Sequence, residues 1–307
     1  MIRVRDLRFT YPKGTSEAIR GIDFAVAPGE VFGFLGPSGA GKSTTQKILL
    51  GSLRGYSGSA TVGSVESSGA DSRYRAGIGA AFEFPCFYQK LTGLENIRLF
   101  ASFYPGPKVD PRPLFERLGL ADAMDRRLAE YSKGMRMRLN LIRAVIHRPR
   151  VLFLDEPTSG LDPANARVVR DLVRERAADG AAVFLTTHDM AAADATCDRV
   201  AFIVDGRIAA CDEPAALKRR YGKRAVVVDR EPGPEVGAAA GGSAAGASDG
   251  ASDGASEKTA QAEYPLDGLA DDAAFIAELR KPGLLGVRTL DSSLDGIFLR
   301  LTGKELV

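Results

Sequence analysis

The chain has 307 residues, 45% of them hydrophobic, enough to bury the core of one large domain or two smaller ones. With 41 basic residues against 39 acidic ones its formal charge is +2, so no broad field points to nucleic acid or an anionic membrane surface. Cys86, Cys197 and Cys211 lack metal-ligand spacing and fit reduced thiols on the cytosolic side. No apolar run approaches the roughly 18 residues that span a bilayer, and no signal-peptide pattern opens the chain.

Short apolar runs alternate with helical patterns from residue 1 to about 222, the mark of an α/β domain. Ile2 to Phe9 reads as the first strand and Val31 to Leu35 as a buried one. The second strand leads into Gly36-Pro37-Ser38-Gly39-Ala40-Gly41-Lys42-Ser43, which satisfies G-x-x-x-x-G-K-[ST] at every fixed position, and a helix follows over Thr44 to Leu53. Glycines at those places let successive N–H groups face inward, and the helix start adds a positive dipole end, so the loop is a phosphate cradle. Lys42 reaches the β- and γ-phosphates, and the Ser43 hydroxyl is offered to magnesium. Gly55 to Val65 is turn-rich and strand-like, which predicts antiparallel hairpins on the edge of the main sheet. Leu91 to Arg143 reads as mostly helical, broken by a loop over Pro105 to Pro113.

Val151-Leu152-Phe153-Leu154 ends in Asp155-Glu156. In a buried parallel strand those carboxylates stand at the crevice where ligands bind, Asp155 toward the magnesium shell and Glu156 as general base toward the attacking water. Thr158-Ser159-Gly160-Leu161-Asp162-Pro163 follows. The next strand, Ala182 to Thr186, ends in Thr186-Thr187-His188-Asp189, which sends His188 into the same crevice; His147, in a helical stretch, is read as structural. Arg199 to Val204 is a further strand. Composition then breaks: 18 of the 20 residues from Gly237 to Ser256 are Gly, Ala or Ser, which cannot bury a core, and 231–262 is read as a disordered linker. In the small extension that follows, 263–307, Ser292-Ser293-Leu294-Asp295 resembles a capping box. Leu294, Ile297, Phe298 and Leu301 share one helical face, with Gly303 as the stop. That helix needs a surface, either the main domain or a second copy.

Together these residues resemble the nucleotide-binding subunit of an ABC transporter, over residues 1 to about 222. The resemblance implies an α/β P-loop NTPase of the ABC ATPase type. Its mixed β-sheet core carries an antiparallel β edge, and its α-helical subdomain covers about 84–148. It also implies ATP and Mg2+ as cofactors. The family's signature segment, which caps the γ-phosphate held by an opposite copy, matches Tyr131-Ser132-Lys133-Gly134-Met135. Ser132 and Gly134 keep the hydroxyl and the close-approach backbone, while Lys133 and Met135 depart from the commonest form. On this pattern ATP is bound by Tyr11, by Gly36 to Thr44, and by Ser132 and Gly134. Lys42, Glu156 and His188 serve the reaction, and Ser43, Glu83 and Asp155 serve the metal. Tyr11 is placed to stack on adenine or to pack a strand end. Glu83 stands where the family usually has glutamine; it adds a negative charge near the γ-phosphate, so hydrolysis is expected to persist with an altered metal or pH response.

Phe84, Pro85, Phe87, Tyr88 and Leu91 form either a groove for a cytoplasmic helix of the membrane partner or ordinary core packing. The resemblance further implies a head-to-tail homodimer, a separate permease subunit, no nucleic-acid partner, and a place on the cytoplasmic face of the membrane. The signature variant, Glu83 and the run Thr289 to Gly303 resemble ATPases that export drugs, antibiotics or similar hydrophobic compounds; an importer or a non-transport regulatory ATPase is the alternative.

Overall fold

The computed structural model describes residues 1–106, 109–223, 225–231, 260–289 and 292–303. It divides into two units, Met1–Arg220 with Ser293–Val307, and Tyr221–Ser292.

The first unit rests on two sheets. Strands β1 (Ile2–Thr10), β2 (Glu17–Val26), β4 (Ser57–Val62) and β5 (Val65–Glu66) make an antiparallel sheet in the order β2-β1-β4-β5. The second sheet takes β3 (Val31–Leu35), β6 (Ile78–Ala81), β7 (Val151–Asp155), β8 (Ala182–Thr187), β9 (Arg199–Val204) and β10 (Arg207–Asp212), in the order β10-β9-β3-β8-β7-β6. Only its β9–β10 pair is antiparallel. The strands near residues 55–65 therefore form a separate sheet rather than an edge of the main one, because β1 uses both of its ladders on β2 and β4. Burial follows from pattern. Along β1, Ile2, Val4, Leu7 and Phe9 are buried, the alternation shifting by one at Asp6, where the chain turns left-handed (φ 40°). β3 and β8 are buried throughout, as parallel strands covered on both faces must be.

Phenylalanines join the two sheets. Phe24 of β2 stacks on Phe32 of β3 with centroids 5.4 Å apart and rings 7° from parallel, and it also meets Phe184 of β8 at 5.7 Å. Each such pair adds about 0.5–1.5 kcal/mol beyond area burial.

Helices fill the connections. α1 (Lys42–Leu49) follows β3, and α2 (Ser72–Ala76) precedes β6. Between β6 and β7 lie α3 (Gly93–Ala101), α4 (Arg112–Arg117) and α5 (Lys133–Val145). α3 opens with a complete Thr92–Glu95 capping box, and α5 opens on Ser132, whose hydroxyl accepts from the Met135 N–H. α6 (Pro163–Ala178) starts with Asp162 as cap and Pro163 in its first turn, α7 (Met190–Thr196) with Asp189 as cap, and α8 (Pro214–Tyr221) follows β10.

The second unit pairs β11 (Ala225–Arg230) with β12 (Ala260–Pro265) on one side and β13 (Leu284–Thr289) on the other, all antiparallel, beside α9 (Ala273–Arg280). Tyr264 meets Phe275 edge-on at 5.4 Å, and Arg230 pairs with Glu278 at 3.0 Å. The sequence division into 1–222, a linker 231–262 and an extension 263–307 is thus redrawn. β11 precedes the Gly/Ala/Ser-rich stretch and belongs with the strands after it, and Ala260 to Ala262 already lie in β12. The rest of the linker reading, 232–259, lies outside the described residues.

The last helix, α10 (Leu294–Thr302), returns to the first unit. Leu294, Ile297 and Phe298 are buried, and Phe298 meets Phe202 of β9 edge-on at 5.4 Å, so the main domain is the surface this helix takes. Its cap is Ser293, accepting from Gly296, not Ser292. The third residue after the cap is then glycine rather than Asp295, and the expected capping box does not form. Gly303, left-handed at φ 65°, ends the helix as expected.

Candidate active site

The cradle forms where β3 hands over to α1. A Cβ on Gly36 would collide with the Ile203 carbonyl oxygen, and Gly41 caps α1 at φ 112°, where a Cβ would also lie 2.7 Å from Ile19. Ala40 is buried while Ser38 and Gly39 face solvent. The Lys42 ammonium donates to the Gly36 and Pro37 carbonyls, the latter at 3.1 Å. Burial holds that ammonium below its ordinary pKa; the charges of Glu156, Asp155 and Glu83, in that order, work the other way. Those three carboxylates therefore converge electrostatically on the lysine.

Asp155 and Glu156 close β7 at its carboxyl end, beside the carboxyl end of β8; Asp155 sits in register with Thr186. Burial pushes the Asp155 carboxyl above its usual range. The Thr186 hydroxyl, which donates to its Oδ1, opposes that shift, and the Glu156 charge reinforces it. Glu156 is left-handed at φ 49°, an uncommon state for a non-glycine residue, and this turns its buried carboxylate onto β8. Its Oε1 accepts from the His188 backbone N–H at 2.9 Å and faces His188 Nδ1 at 2.7 Å, while its Oε2 accepts from the Thr187 hydroxyl at 2.8 Å. The His188 imidazole itself is 59% exposed.

Tyr11 stands at the end of β1, its ring edge-on to Phe9 at 4.9 Å and its hydroxyl 3.0 Å from the Thr44 hydroxyl. One ring thus packs the strand end and borders the cradle helix at once. Ser43 is exposed in the first turn of α1, and Glu83 lies half-buried just after β6. Ser132 and Gly134 sit apart, at the start of α5. A Cβ on Gly134 would lie 3.3 Å from Leu161, so that tip packs on the loop after β7. Among the described residues no hydrogen bond joins it to the cradle. His147 is structural, stacked on Tyr104 at 3.6 Å with Nε2 3.0 Å from the Ile78 carbonyl.

Beyond β6 the chain leaves large aromatics in solvent, Phe84 at 77% exposure and Tyr88 at 55%. Phe84 borders a cavity of about 450 Å3, lined also by Phe82, Phe100, Tyr104 and Arg143. The Arg143 guanidinium stands 5.1 Å from the Phe87 ring and 5.2 Å from Phe100. The cluster is split between the two expectations: Phe84 and Tyr88 face solvent, while Pro85, Phe87 and Leu91 are half-buried.

Sequence reasoning passed over Thr186 and Thr187 as site residues. The signal was present: two hydroxyls ending a strand whose other four residues, Ala182 to Leu185, are apolar.

A glycine cradle with its lysine, facing two carboxylates at a strand end, defines a P-loop nucleoside triphosphatase. An ABC transporter family model matches residues 19–159. A fluoroquinolones export ATP-binding protein of Mycobacterium tuberculosis (strain CDC 1551 / Oshkosh) is 48% identical over 100% of this chain and 94% of its own length. A daunorubicin resistance ATP-binding protein of Streptomyces coeruleorubidus is 36% identical over 94% of this chain and 92% of its own. Among solved structures, an ATP-binding subunit of an ABC transporter superposes with a TM-score of 0.67 at 29% identity, covering 72% of this chain and 93% of that one. A dimeric bacterial ABC transporter cassette gives 0.61 at 25%, covering 69% and 98%. The chain belongs to the ABC transporter family, as an ATPase subunit of the export type. Among its described residues no helix is long and apolar enough to cross a membrane.

Proposed function

We propose that this chain binds ATP on Gly36 to Thr44, with Tyr11 against the base, and hydrolyses it with Glu156 as general base, Lys42 on the β- and γ-phosphates and His188 at the γ-phosphate. The observation that carries this reading is the Glu156 carboxylate fixed by the Thr187 hydroxyl, the His188 N–H and the His188 ring at the carboxyl end of β8, the strand next to the one that delivers Lys42. A water lined up on the γ-phosphorus gives its proton to Glu156 as the new P–O bond forms and the β,γ-bridging bond breaks, leaving ADP and phosphate.

Magnesium fits the donors present. Ser43, Asp155 and Glu83 offer hard oxygen atoms, and burial leaves Asp155 short of compensating charge. Among the described residues no group of three or more His, Cys, Asp or Glu could hold a metal alone. That suits an ion which takes only one or two protein oxygens and completes its shell with phosphates and water. When bound it neutralises charge on the transferred phosphoryl group.

Ser132 and Gly134, set apart from the cradle of their own chain, act on the ATP of a second copy in a head-to-tail homodimer; the description of a similar cassette as dimeric supports this. Closure favoured by ATP and undone by hydrolysis is then the two-state element that drives transport. A separate permease carries the substrate, this chain sits on its cytoplasmic face through the surface around Phe84 and Tyr88, and the names of the two relatives, one for fluoroquinolones export and one for daunorubicin resistance, favour a hydrophobic drug-like substrate. The test is Glu156→Gln. The variant is expected to bind ATP, to lose at least a hundredfold in hydrolysis, and to run as a dimer in ATP on a sizing column. Undiminished hydrolysis would remove Glu156 as the base.

A further inference from the structure

β8 is buried from end to end, yet it closes on two hydroxyls. Thr186 is 0% exposed and Thr187 is 1% exposed. A buried hydroxyl is costly unless paired, and valine would suit the strand as well. Both are paired, and each with one carboxylate of the neighbouring strand. The Thr186 hydroxyl donates to Asp155 Oδ1, its only other acceptor among the described residues being the Leu154 carbonyl at 3.4 Å. The Thr187 hydroxyl donates to Glu156 Oε2 at 2.8 Å and accepts from the Asp189 N–H at 3.0 Å, so both of its roles are filled. Asp189 in turn caps α7, accepting from the Ala192 N–H at 2.8 Å.

Parallel register makes this possible. Asp155 lies opposite Thr186, and the Glu156 N–H continues the ladder to the Thr186 carbonyl at 2.9 Å. Consecutive residues of a strand point to opposite faces, so two adjacent threonines serve two adjacent carboxylates without competing. Threonine is also stiff about χ1, which gives the hydroxyl a fixed direction that serine lacks.

We infer that Thr186 and Thr187 are positioning residues: Thr187 anchors Oε2 of the general base, and Thr186 orients Asp155 toward the metal. The inference rests on Glu156 being that base. It also divides the labour between the two oxygens of Glu156. Oε2 is held by a buried hydroxyl tied to a helix cap. Oε1 meets a backbone N–H and the half-exposed His188 ring, so each oxygen is anchored by a different residue at the end of β8.

The experiment is steady-state ATP hydrolysis by the full chain carrying Thr187→Val, Thr187→Ser, Thr186→Val or Thr186→Ser, with Glu156→Gln alongside. Thr187→Val is expected to lower kcat roughly tenfold or more, the scale of one hydrogen bond to a charged group, with KM for ATP little changed and serine restoring most of the loss. Thr186→Val is expected to raise roughly tenfold both the magnesium concentration for half-maximal rate and the magnesium concentration that half-saturates thermal stabilisation of the ATP-bound Glu156→Gln chain, again with rescue by serine. Should the valine variants fail to fold by thermal melting, Thr187→Ala and Thr186→Ala carry the same expectations. Wild-type kcat without the Thr187 hydroxyl, or a loss that serine does not rescue, overturns the assignment while a slow Glu156→Gln leaves the base in place. A Glu156→Gln enzyme of undiminished rate removes the base itself, and the positioning role with it.

Discussion

The carboxyl ends of β7 and β8 and the stretch from Phe82 to Tyr104 are neighbours in the same fold built on opposite principles. At the strand ends nearly every polar atom has a named partner: Asp155 has Thr186, Glu156 has Thr187 and His188, and Lys42 has its own cradle. In the second region the aromatic rings that would ordinarily fill a core stand in solvent, and Arg143 is held under them by Phe87 and Phe100. In the first, the carboxylates, the hydroxyls that hold them and the lysine are fixed within one chain before substrate or a second copy arrives. The second has the character of a contact surface, since large exposed aromatics are what a partner buries as anchors.

The strongest way to break this contrast is to truncate one ring from each region. Phe184→Ala, which removes a fully buried ring touching Phe24, Phe32 and Phe34, should cost about 3–5 kcal/mol in urea unfolding, whereas Phe84→Ala should stay within about 0.5 kcal/mol. Phe84→Ala should instead weaken drug efflux in cells expressing the permease. Comparable unfolding costs would mean that Phe84 belongs to the core after all.

A smaller effect is expected from Asp155. Because burial raises its pKa, the folded chain holds that proton more tightly than the unfolded chain, and stability falls as pH rises through the folded value. Asp155→Asn should therefore raise the melting temperature of the nucleotide-free protein at neutral pH while abolishing magnesium-dependent hydrolysis. The thermal gain should vanish below the ordinary value of 3.8, where the carboxyl is neutral in both states. A lower melting temperature at pH 7 would contradict the sign.

His147 provides the opposite case. Burial lowers its pKa, so below about 6.5 the unfolded chain takes up a proton that the folded one resists, and stability declines as pH falls from there. Urea midpoints measured from pH 7.5 to 5.5 should fall for the wild type and fall less for His147→Gln. The smallest change is expected for Glu83→Gln, which removes one negative charge from the field on Lys42. Its hydrolysis should persist with a shifted magnesium optimum, and an unmoved optimum would leave Glu83 without a role at the metal.

Much of the site was legible in the chain because its chemistry depends on local spacing. Gly36, Gly39, Gly41, Lys42 and Ser43 sit within eight residues, and Asp155 and Glu156 end one apolar run, so register alone brings them together. Thr186 and Thr187 were not legible in the same way: a threonine ending a strand is common, and its meaning comes from the carboxylate lying opposite across the sheet. Long-range pairing also hid the separate sheet of β1, β2, β4 and β5, and it hid the membership of β11, since nothing near Ala225 announces partners some 35 and 60 residues further on. The cap of α10 slipped by one residue for a smaller reason: either of two adjacent serines could serve, and the Ser292 hydroxyl turns to the Lys223 carbonyl while Ser293 accepts from the Gly296 N–H.

In the second unit, Arg230 stands opposite Ala260 in the β11–β12 ladder, so the 29 residues between them leave and re-enter the fold at neighbouring points. The two strand ends that flank these residues are thus adjacent, and no gap between them sets a length. Closing a loop costs only about 0.6 kcal/mol for each doubling of its length, so natural variation in this stretch should be nearly neutral. The position is therefore a ready insertion point for a fluorescent protein or an affinity handle, one that leaves both the phosphate cradle and the final helix in place.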